Sequence, residues 1–408
     1  MLRIRMSWKI DNVLNILFDI SFLLYIVAYV YYFDNAIANS GMIRMVATLA
    51  MLITGSLEVL KNNKLVRLNS YILSYMLFMA FCLLSSIWAY DSHLATRSFP
   101  VMLRIVILFV FLNYRIVNDA DTERLLDVYL IAVIVVILIV MNDMIEYYNK
   151  NTFLLYRFGI IGNNPNIISM LSVFCTVICN HKYKVGDKKK LYVVLLIFYI
   201  FIIFVCRSKK GILGLAIGLF FVSYYRNLGN KRLTRVMYFA LIVLALYVML
   251  MRVPYFYNRI GYRFDELFDL LAGRTSGMNS TTNRAELILQ GFRLWMQHPI
   301  WGIGINNFAI KQSVHAGTYY YSHCNYIELL SGIGLIGFFI YYYYPFKCLI
   351  TKIGNADDLR IALKTICLLI LFFDIATVNF QEMYVLVFYT FFFISMSRKK
   401  KSIQNKNH

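Results

Sequence analysis

Long apolar runs, each close to the length of one bilayer crossing, alternate with short polar turns along the whole chain. They fall at approximately 13–33, 42–60, 68–90, 98–113, 125–143, 165–180, 191–206, 211–225, 236–252, 325–346, 361–377 and 380–396. A helix needs about 20 predominantly apolar residues to cross the hydrocarbon core. The apolar residues are continuous within each run rather than alternating, which disfavours a β-barrel and favours helices that satisfy their own backbone groups. The pattern predicts an all-α, polytopic membrane protein with about 12 transmembrane helices. Runs 98–113 and 211–225 are short, and 165–180 reads as tilted or re-entrant. A single long polar interruption, 253–322, separates helices 9 and 10. With no Pro-rich or Gly/Ser-rich linker and no internal repeat, residues 1–408 read as one membrane domain carrying one large external loop. The first run is span-length and lacks a small-residue cleavage site, so it reads as a helix and not as a signal peptide.

Basic residues set the expected orientation. Clusters precede helix 1 (Arg3, Arg5, Lys9) and follow helix 2 (Lys61, Lys64, Arg67), helix 4 (Arg115, Arg124) and helix 6 (Lys182, Lys184 and Lys188 to Lys190). Further clusters follow helix 8 (Arg226, Lys231, Arg232, Arg235), helix 10 (Lys347, Lys352, Arg360) and helix 12 (Arg398 to Lys401). Every cluster lies on an even-numbered turn or a terminus, so both termini are expected in the cytoplasm. Three groups break the rule: Arg252, Arg259, Arg263, Arg274, Arg284 and Arg293 in or beside the external loop, Arg207, Lys209 and Lys210 on an outward turn, and Arg104 inside a helix. Positive charge placed against the bias carries a cost and suggests a role. The alternative for each is snorkelling toward lipid headgroups.

Composition agrees with the membrane class. The 408 residues are 60% hydrophobic and 15% charged, where soluble domains average about 45–50% and about 25%. The net charge of +20 follows from basic cytoplasmic turns and calls for no nucleic-acid partner. Seven cysteines show no metal spacing. Cys324 alone falls in a candidate site, and the other six lie in or beside apolar runs.

Candidate chemistry gathers in 283–337. Thr282 and Asn283, with Glu286 three positions on, form a capping signal. Ile288, Phe292 and Trp295 then recur at helical spacing, with Ala285 and Leu289 beside them, predicting an amphipathic helix of about 284–297. His298-Pro299 would stop it, and Gly302 and Gly304 permit a tight turn. Such a helix suits a membrane surface, with Trp295 and Trp301 at headgroup depth. His323 stands where the loop meets helix 10, beneath Tyr319 to Tyr321. It is either a general base or an interfacial histidine hydrogen-bonded to a neighbouring loop. His315 lies in a flexible segment, His298 reads as a helix stop, and His93, His181 and His408 offer no metal pair. Tyr319 to Tyr321 suit either sugar stacking or an aromatic belt, whereas Tyr341 to Tyr344 read as belt. Asp265, Glu266 and Asp269 are expected to pair with Arg259 and Arg263 rather than hold a metal, and Asp357-Asp358 reads as a solvated turn.

Four elements in order resemble the O-antigen ligase and polymerase superfamily, the membrane glycosyltransferases that include Wzy-type polysaccharide polymerases. Gly162-Asn163-Asn164-Pro165-Asn166 is similar to a "G-x-x-NPN" helix opening, and Ser208-Lys209-Lys210-Gly211 to an "S-R-x-G/A" turn. Arg284, the helix to Trp295, His298-Pro299 and Gly302-x-Gly304 resemble its arginine, tryptophan helix and "HP-x-x-G-x-G" turn. Ser322-His323-Cys324-Asn325 with Leu329-Leu330 and Gly332-x-Gly334 resembles its "HNN" entry. The likeness covers roughly the second half of the chain. Cys324 departs from the usual asparagine. Lys209 stands where arginine is common, keeping the charge without the bidentate fork.

The resemblance implies a donor glycan on undecaprenyl pyrophosphate, used without a nucleotide sugar, cofactor or metal at the outer face of a bacterial cytoplasmic (inner) membrane. His323 and Arg284 would be catalytic. Arg207, Lys209, Lys210, Asn325, Asn164, Asn166 and Tyr321 would bind the pyrophosphate or glycan. The expected function is a polysaccharide polymerase joining lipid-linked repeat units into capsule, exopolysaccharide or O-antigen. A ligase that moves finished glycan to another acceptor is the near alternative, and a lipid-linked oligosaccharide flippase is the distant one. A flippase would line a central cavity with charge, and here the charges gather at one face. Expected partners are the lipid-linked donor, the glycan acceptor, membrane lipids and other polysaccharide-assembly proteins.

Overall fold

A computed structural model describes residues 2–31, 39–61, 67–147, 158–159, 164–226, 247–254, 257–271, 280–316, 319–354 and 357–404, with 234, 237, 241 and 244. These contain fifteen α-helices and no strand. In chain order they are α1 (Leu2–Val30), α2 (Ser40–Lys61), α3 (Ser70–Leu84), α4 (Ser92–Arg97), α5 (Phe99–Arg115), α6 (Asp119–Tyr147), α7 (Pro165–Val185), α8 (Lys189–Val205), α9 (Lys209–Arg226), α10 (Tyr262–Leu271), α11 (Ser280–Gln297), α12 (Phe308–Ala316), α13 (Asn325–Ile350), α14 (Asp358–Phe373) and α15 (Met383–Gln404). Among the described residues, six stretches are long and apolar enough to cross a membrane: Asn12–Val30, Ser40–Lys61, Ser70–Ile87, Ser92–Arg115, Asp119–Tyr147 and Asn325–Ile350. The protein is an all-α polytopic membrane protein. Of the ninth expected run, 236–252, only part falls among the described residues, and 247–252 are helical there.

Packing explains the runs that looked irregular. The short run 98–113 is completed by α4, so that Ser92–Arg115 together reaches crossing length. Run 165–180 is neither broken nor re-entrant. It is the continuous helix α7, shielded from lipid by α8, α9 and α14. That enclosed position suits its Ser169, Ser172 and Thr176, all buried. The Ser172 hydroxyl donates to Ile168 O at 2.8 Å and that of Thr176 to Val173 O at 2.7 Å.

Run 361–377 stops early. α14 ends at Phe373, and Asp374 opens a non-helical segment that lasts until α15 begins at Met383. The reason is a fully satisfied amide. Asn325, at the start of α13, is completely buried. Its Oδ1 accepts from Asn379 N–H (2.9 Å) and Phe380 N–H (3.1 Å), and its Nδ2 donates to Tyr342 Oη (2.7 Å) and Asp374 Oδ2 (3.3 Å). Asn325 N–H also donates to Asp374 O at 2.8 Å. Four side-chain hydrogen bonds exhaust what an amide offers.

Many of the basic residues that set the expected orientation are paired with acids. Arg115, 3% exposed, lies 2.8 Å from Asp121, with Asp19 at 3.8 Å and Glu58 at 4.0 Å. Lys182 pairs with Glu123 and Asp127. Asp357-Asp358 is not a solvated turn: Asp358 receives Lys184 (2.7 Å) and Arg226 (2.8 Å), and Asp357 receives Arg360 (3.0 Å). Burial of a charge is tolerated where an opposite charge compensates the lost hydration.

Helix α13 carries the break that shapes the site. Gly334 has φ 62° and ψ −167°, a conformation open almost only to glycine. The interruption strands backbone groups, which in a membrane protein must be paired internally. The loop after α11 supplies the partners. Ile303 N–H donates to Ser331 O (2.9 Å) and Gly304 N–H to Gly332 O (2.8 Å), while Leu335 N–H donates to Pro299 O (2.9 Å). Helix α3 lies against α13, with Ser74 Oγ donating to Ile340 O at 3.3 Å, and its far end meets the same loop where Phe81 stacks on Trp301.

Candidate functional site

Three chain segments converge at the loop end of α13. The first is the α7 start. Pro165 occupies its first turn, and Asn164 caps it by accepting from Asn166 N–H at 2.9 Å. Asn166 Oδ1 then accepts from the Ser208 hydroxyl at 2.9 Å. The two asparagines therefore fix the helix opening and fasten it to the turn ahead of α9. Gly162 and Asn163, part of the same motif, lie outside the described residues.

The second segment is that turn, where Arg207 adopts φ 48°. The two lysines after it diverge. Lys209 Nζ is 3.4 Å from Glu266 Oε2 on α10, which offsets its charge. Arg259 and Arg263, the expected partners of these acids, have side chains outside the described residues. Asp265 accepts from the Tyr257 hydroxyl at 2.7 Å. Lys210 Nζ donates to Ala376 O and to Thr377 Oγ1 (2.7 Å), reaching the 374–382 segment.

The third segment is 319–325. Backbone bonds place it: Ser322 N–H donates to Glu328 Oε2 (2.9 Å), and Ser322 Oγ donates to Cys324 O (2.8 Å). Cys324 is buried at the helix cap position and makes no capping bond. His323 takes φ 57°, a left-handed conformation that histidine tolerates better than most residues. Its ring lies 4.1 Å from that of Tyr321, centroid to centroid.

Electrostatics joins the segments. Burial pushes the His323 imidazole down to about 4, from an ordinary 6.5, with the positive charges of Arg284 and Lys210 adding to the effect. Burial raises the Tyr321 phenol, and the Arg284 charge works against that rise. Arg284 on α11 and Lys210 on α9 thus act on the same imidazole. A neutral imidazole next to two fixed cations accepts a proton poorly until an anion arrives between them. Among the described residues no group of three His, Cys, Asp or Glu side chains converges to hold an ion.

The helix carrying Arg284 starts at Ser280, three residues before the capping signal at Asn283, and stops at Gln297 ahead of His298-Pro299. Leu287 and Leu294 pack with Ile303 and Phe308 in a small core of their own, which fixes the helix against the turn after it. Trp295 Nε1 donates to Pro299 O at 3.1 Å, closing that turn. The side chain of His315 lies outside the described residues.

Of the residues singled out from sequence, His323, Arg284, Lys210 and Tyr321 come together. Asn164 and Asn166 hold the backbone, Lys209 is engaged by Glu266, and Asn325 is spent on the 374–382 segment rather than facing a ligand. That segment was missed, although Asp374, Thr377, Asn379, Gln381 and Glu382 form a polar patch between two apolar runs. Asp374, fully buried, accepts from Asn379, Tyr342 and Asn325, and Thr377 meets Lys210.

Residues 193–342 match the family model for O-antigen ligase. This stretch runs from α8 through Tyr342 and contains Arg207 to Lys210, Arg284 and His323. The match supports the O-antigen ligase/polymerase superfamily and implies a glycosyltransferase-like enzyme activity. No curated protein matches the chain.

Proposed function

We propose that the protein is a polysaccharide polymerase that joins undecaprenyl-pyrophosphate-linked repeat units at the outer face of a bacterial cytoplasmic membrane, with both termini in the cytoplasm. The observation that carries this reading is the placement of His323 within electrostatic reach of both Arg284 and Lys210. A diphosphate between the two cations would be held at the point where negative charge grows as it leaves. An acceptor hydroxyl attacks the anomeric carbon, the bond from that carbon to the diphosphate oxygen breaks, and its electron pair departs with the diphosphate. The hydroxyl proton passes to His323. A single displacement of this kind inverts the anomeric centre. Tyr321, its ring tilted beside the imidazole, offers an apolar face for a sugar ring.

A ligase reading is supported by the match to the O-antigen ligase family model. It shares the donor chemistry and differs only in acceptor. Purified full-length protein given a lipid-pyrophosphate-linked repeat unit alone separates the two. A ladder of longer lipid-linked glycans supports polymerisation. Turnover that requires an added non-identical acceptor sinks the polymerase and supports the ligase. In this scheme the cations do the work of a divalent ion, so chelation by EDTA is expected to leave the rate unchanged. A loss restored by a divalent salt would overturn that part.

The imidazole also sets the pH dependence. His323 must be neutral to accept the proton, and with no ligand it is neutral above about 4. The acid limb of kcat/KM is therefore expected near that value, with activity lost as pH falls through it. The limb of kcat is expected at higher pH, because bound diphosphate offsets the cations and favours protonated imidazole. Arg284→Ala should move the kcat/KM limb upward toward the ordinary histidine range. An unshifted limb in that variant would remove Arg284 from the site.

A further inference from the structure

Helix α13 does more than break at Gly334; it folds back there. Asn325 and Tyr342 are 17 positions apart, yet Asn325 Nδ2 lies 2.7 Å from Tyr342 Oη, and the rings of Tyr326 and Tyr342 stack at 4.8 Å. In a straight helix the Cα atoms of the first pair would stand about 25 Å apart. The 299–304 loop covers the bend and is itself fastened to the segment between α3 and α4. Tyr90 N–H donates to Ile303 O (2.9 Å), Trp88 Nε1 to Trp301 O (3.1 Å) and Asp91 N–H to Asn307 Oδ1 (2.6 Å).

These two segments and α12 enclose a pocket of about 790 Å³ that the proposed transfer does not use. Trp88, Tyr90, Ile300 and Trp301 form its walls, and His298 and Lys311 bring polar groups to it. The rings are held in place. Trp88 meets Trp301 edge-on at 5.5 Å, Phe81 stacks on Trp301 at 6.3 Å, and Lys311 Nζ sits 4.3 Å from the Tyr90 ring centroid. An interfacial aromatic belt anchors helices one ring at a time. It does not require two tryptophans 213 positions apart to be hydrogen-bonded beside a cavity.

Helix α11 joins this pocket to the His323 site. Arg284 lies in its first half and His298 just past its end, roughly 20 Å apart along the axis at about 1.5 Å per residue. Gly291 lets the helix lie close on the first limb of α13, where an added Cβ would stand 2.2 Å from the Ile327 side chain. An extended oligosaccharide reaches across such a distance, whereas a single sugar does not.

We propose that this pocket is a subsite for a sugar unit of the glycan chain, remote from the bond that reacts. A pyranose face lies against the Trp88 or Trp301 indole, with hydroxyl or carboxylate oxygens toward Lys311 and the Tyr90 hydroxyl. The proposal rests on the transferase reading, from which it takes its ligand. A pyranose combines apolar C–H faces with a polar rim, and fixed aromatic walls with a few placed polar groups complement both. An acyl chain would use the indoles and leave the ammonium beside them idle.

Saturation-transfer-difference NMR on the full-length protein in detergent tests this. The probe is the oligosaccharide released by mild acid from the cell's lipid-linked repeat unit, free of lipid and pyrophosphate. Wild type is expected to bind it, and so is His323→Asn, in which transfer is lost. Trp301→Leu is expected to weaken binding about tenfold, from the loss of one aromatic face. Lys311→Gln, a change at a partly exposed position, is expected to weaken it several-fold and serves if Trp301→Leu does not fold. Equal binding by wild type and both variants overturns the subsite, as does transfer by a wild type that does not bind the oligosaccharide. Displacement of the oligosaccharide by stoichiometric short-chain phosphatidylglycerol overturns the glycan assignment in favour of a lipid. Binding that depends on Trp301 and Lys311 in a protein that transfers nothing would sink the transferase reading and leave the subsite standing.

Discussion

Replacing His323 is expected to lower glycan transfer by about 10²- to 10⁴-fold, the usual contribution of a positioned general base, while the protein still folds. The expectation rests on where the side chain sits. His323 precedes α13 and is half-buried, and its ring contacts Tyr321 rather than the packed interior. Its backbone, at φ 57°, adds a complication, because alanine is strained there by about 1 kcal/mol. Asparagine accepts left-handed geometry and lacks a useful base. His323→Asn therefore separates chemistry from strain. Radiolabelled lipid-linked repeats, resolved by length, should remain single with His323→Asn and with His323→Ala. Melting temperature in detergent should fall for His323→Ala alone. Chains of normal length from folded His323→Asn would sink the general-base assignment and with it the role given to Arg284 and Lys210 around that ring.

Gly334→Ala is expected to be the most damaging conservative change in α13, for a reason remote from chemistry. An added Cβ would stand 2.2 Å from Ile300 O and 2.3 Å from Ile300 C. The backbone there also lies in a region that only glycine occupies at low cost. Relief requires either closing the helix break or pushing away the 299–304 loop. Each route discards the bonds from Ile303, Gly304 and Leu335 that satisfy the broken turn. Strain and lost pairing together suggest about 3–5 kcal/mol of destabilisation. The same helix supplies the control two residues earlier. At Gly332 an added Cβ would meet nothing closer than Gly304 O at 3.5 Å, an ordinary contact. Fluorescence-detected gel filtration after heating should show Gly334→Ala losing its folded peak well below wild type, with Gly332→Ala close to wild type. Equal behaviour of the two variants would mean that the break in α13 does not bear on stability.

The two variants probe different layers, and the layers were unequally legible from sequence. His323, Arg284 and Tyr321 stand out because polar and titratable residues are rare in such a chain and their motif spacing is local. Choosing between Lys209 and Lys210 is different in kind. Adjacent residues on a helix point about 100° apart, so their partners depend on which neighbours pack around α9. Glu266 takes one and the 374–382 segment takes the other. Asn325 misled for a related reason. Its place beside His323 in sequence suggested a ligand contact, but it points the opposite way and closes its hydrogen bonds on Asn379, Phe380, Tyr342 and Asp374. No local rule reveals that a run such as 361–377 must stop at Phe373 to provide those partners. The glycines at 302 and 304 were visible as turn formers, and those at 332 and 334 as part of a motif. That two of them oppose the other two across a backbone-paired helix break was not, because the pairing joins positions about thirty residues apart.

Hydrophobic run length by itself determined the membrane class and the all-helical architecture, because lipid leaves a spanning segment few ways to satisfy its backbone. The placement of rare polar groups likewise marked where chemistry gathers. Only the tertiary structure decided which cations face the imidazole, which asparagine is structural and where α13 breaks. Those outcomes depend on contacts between helices distant in sequence, and a one-dimensional pattern carries no information about which faces meet.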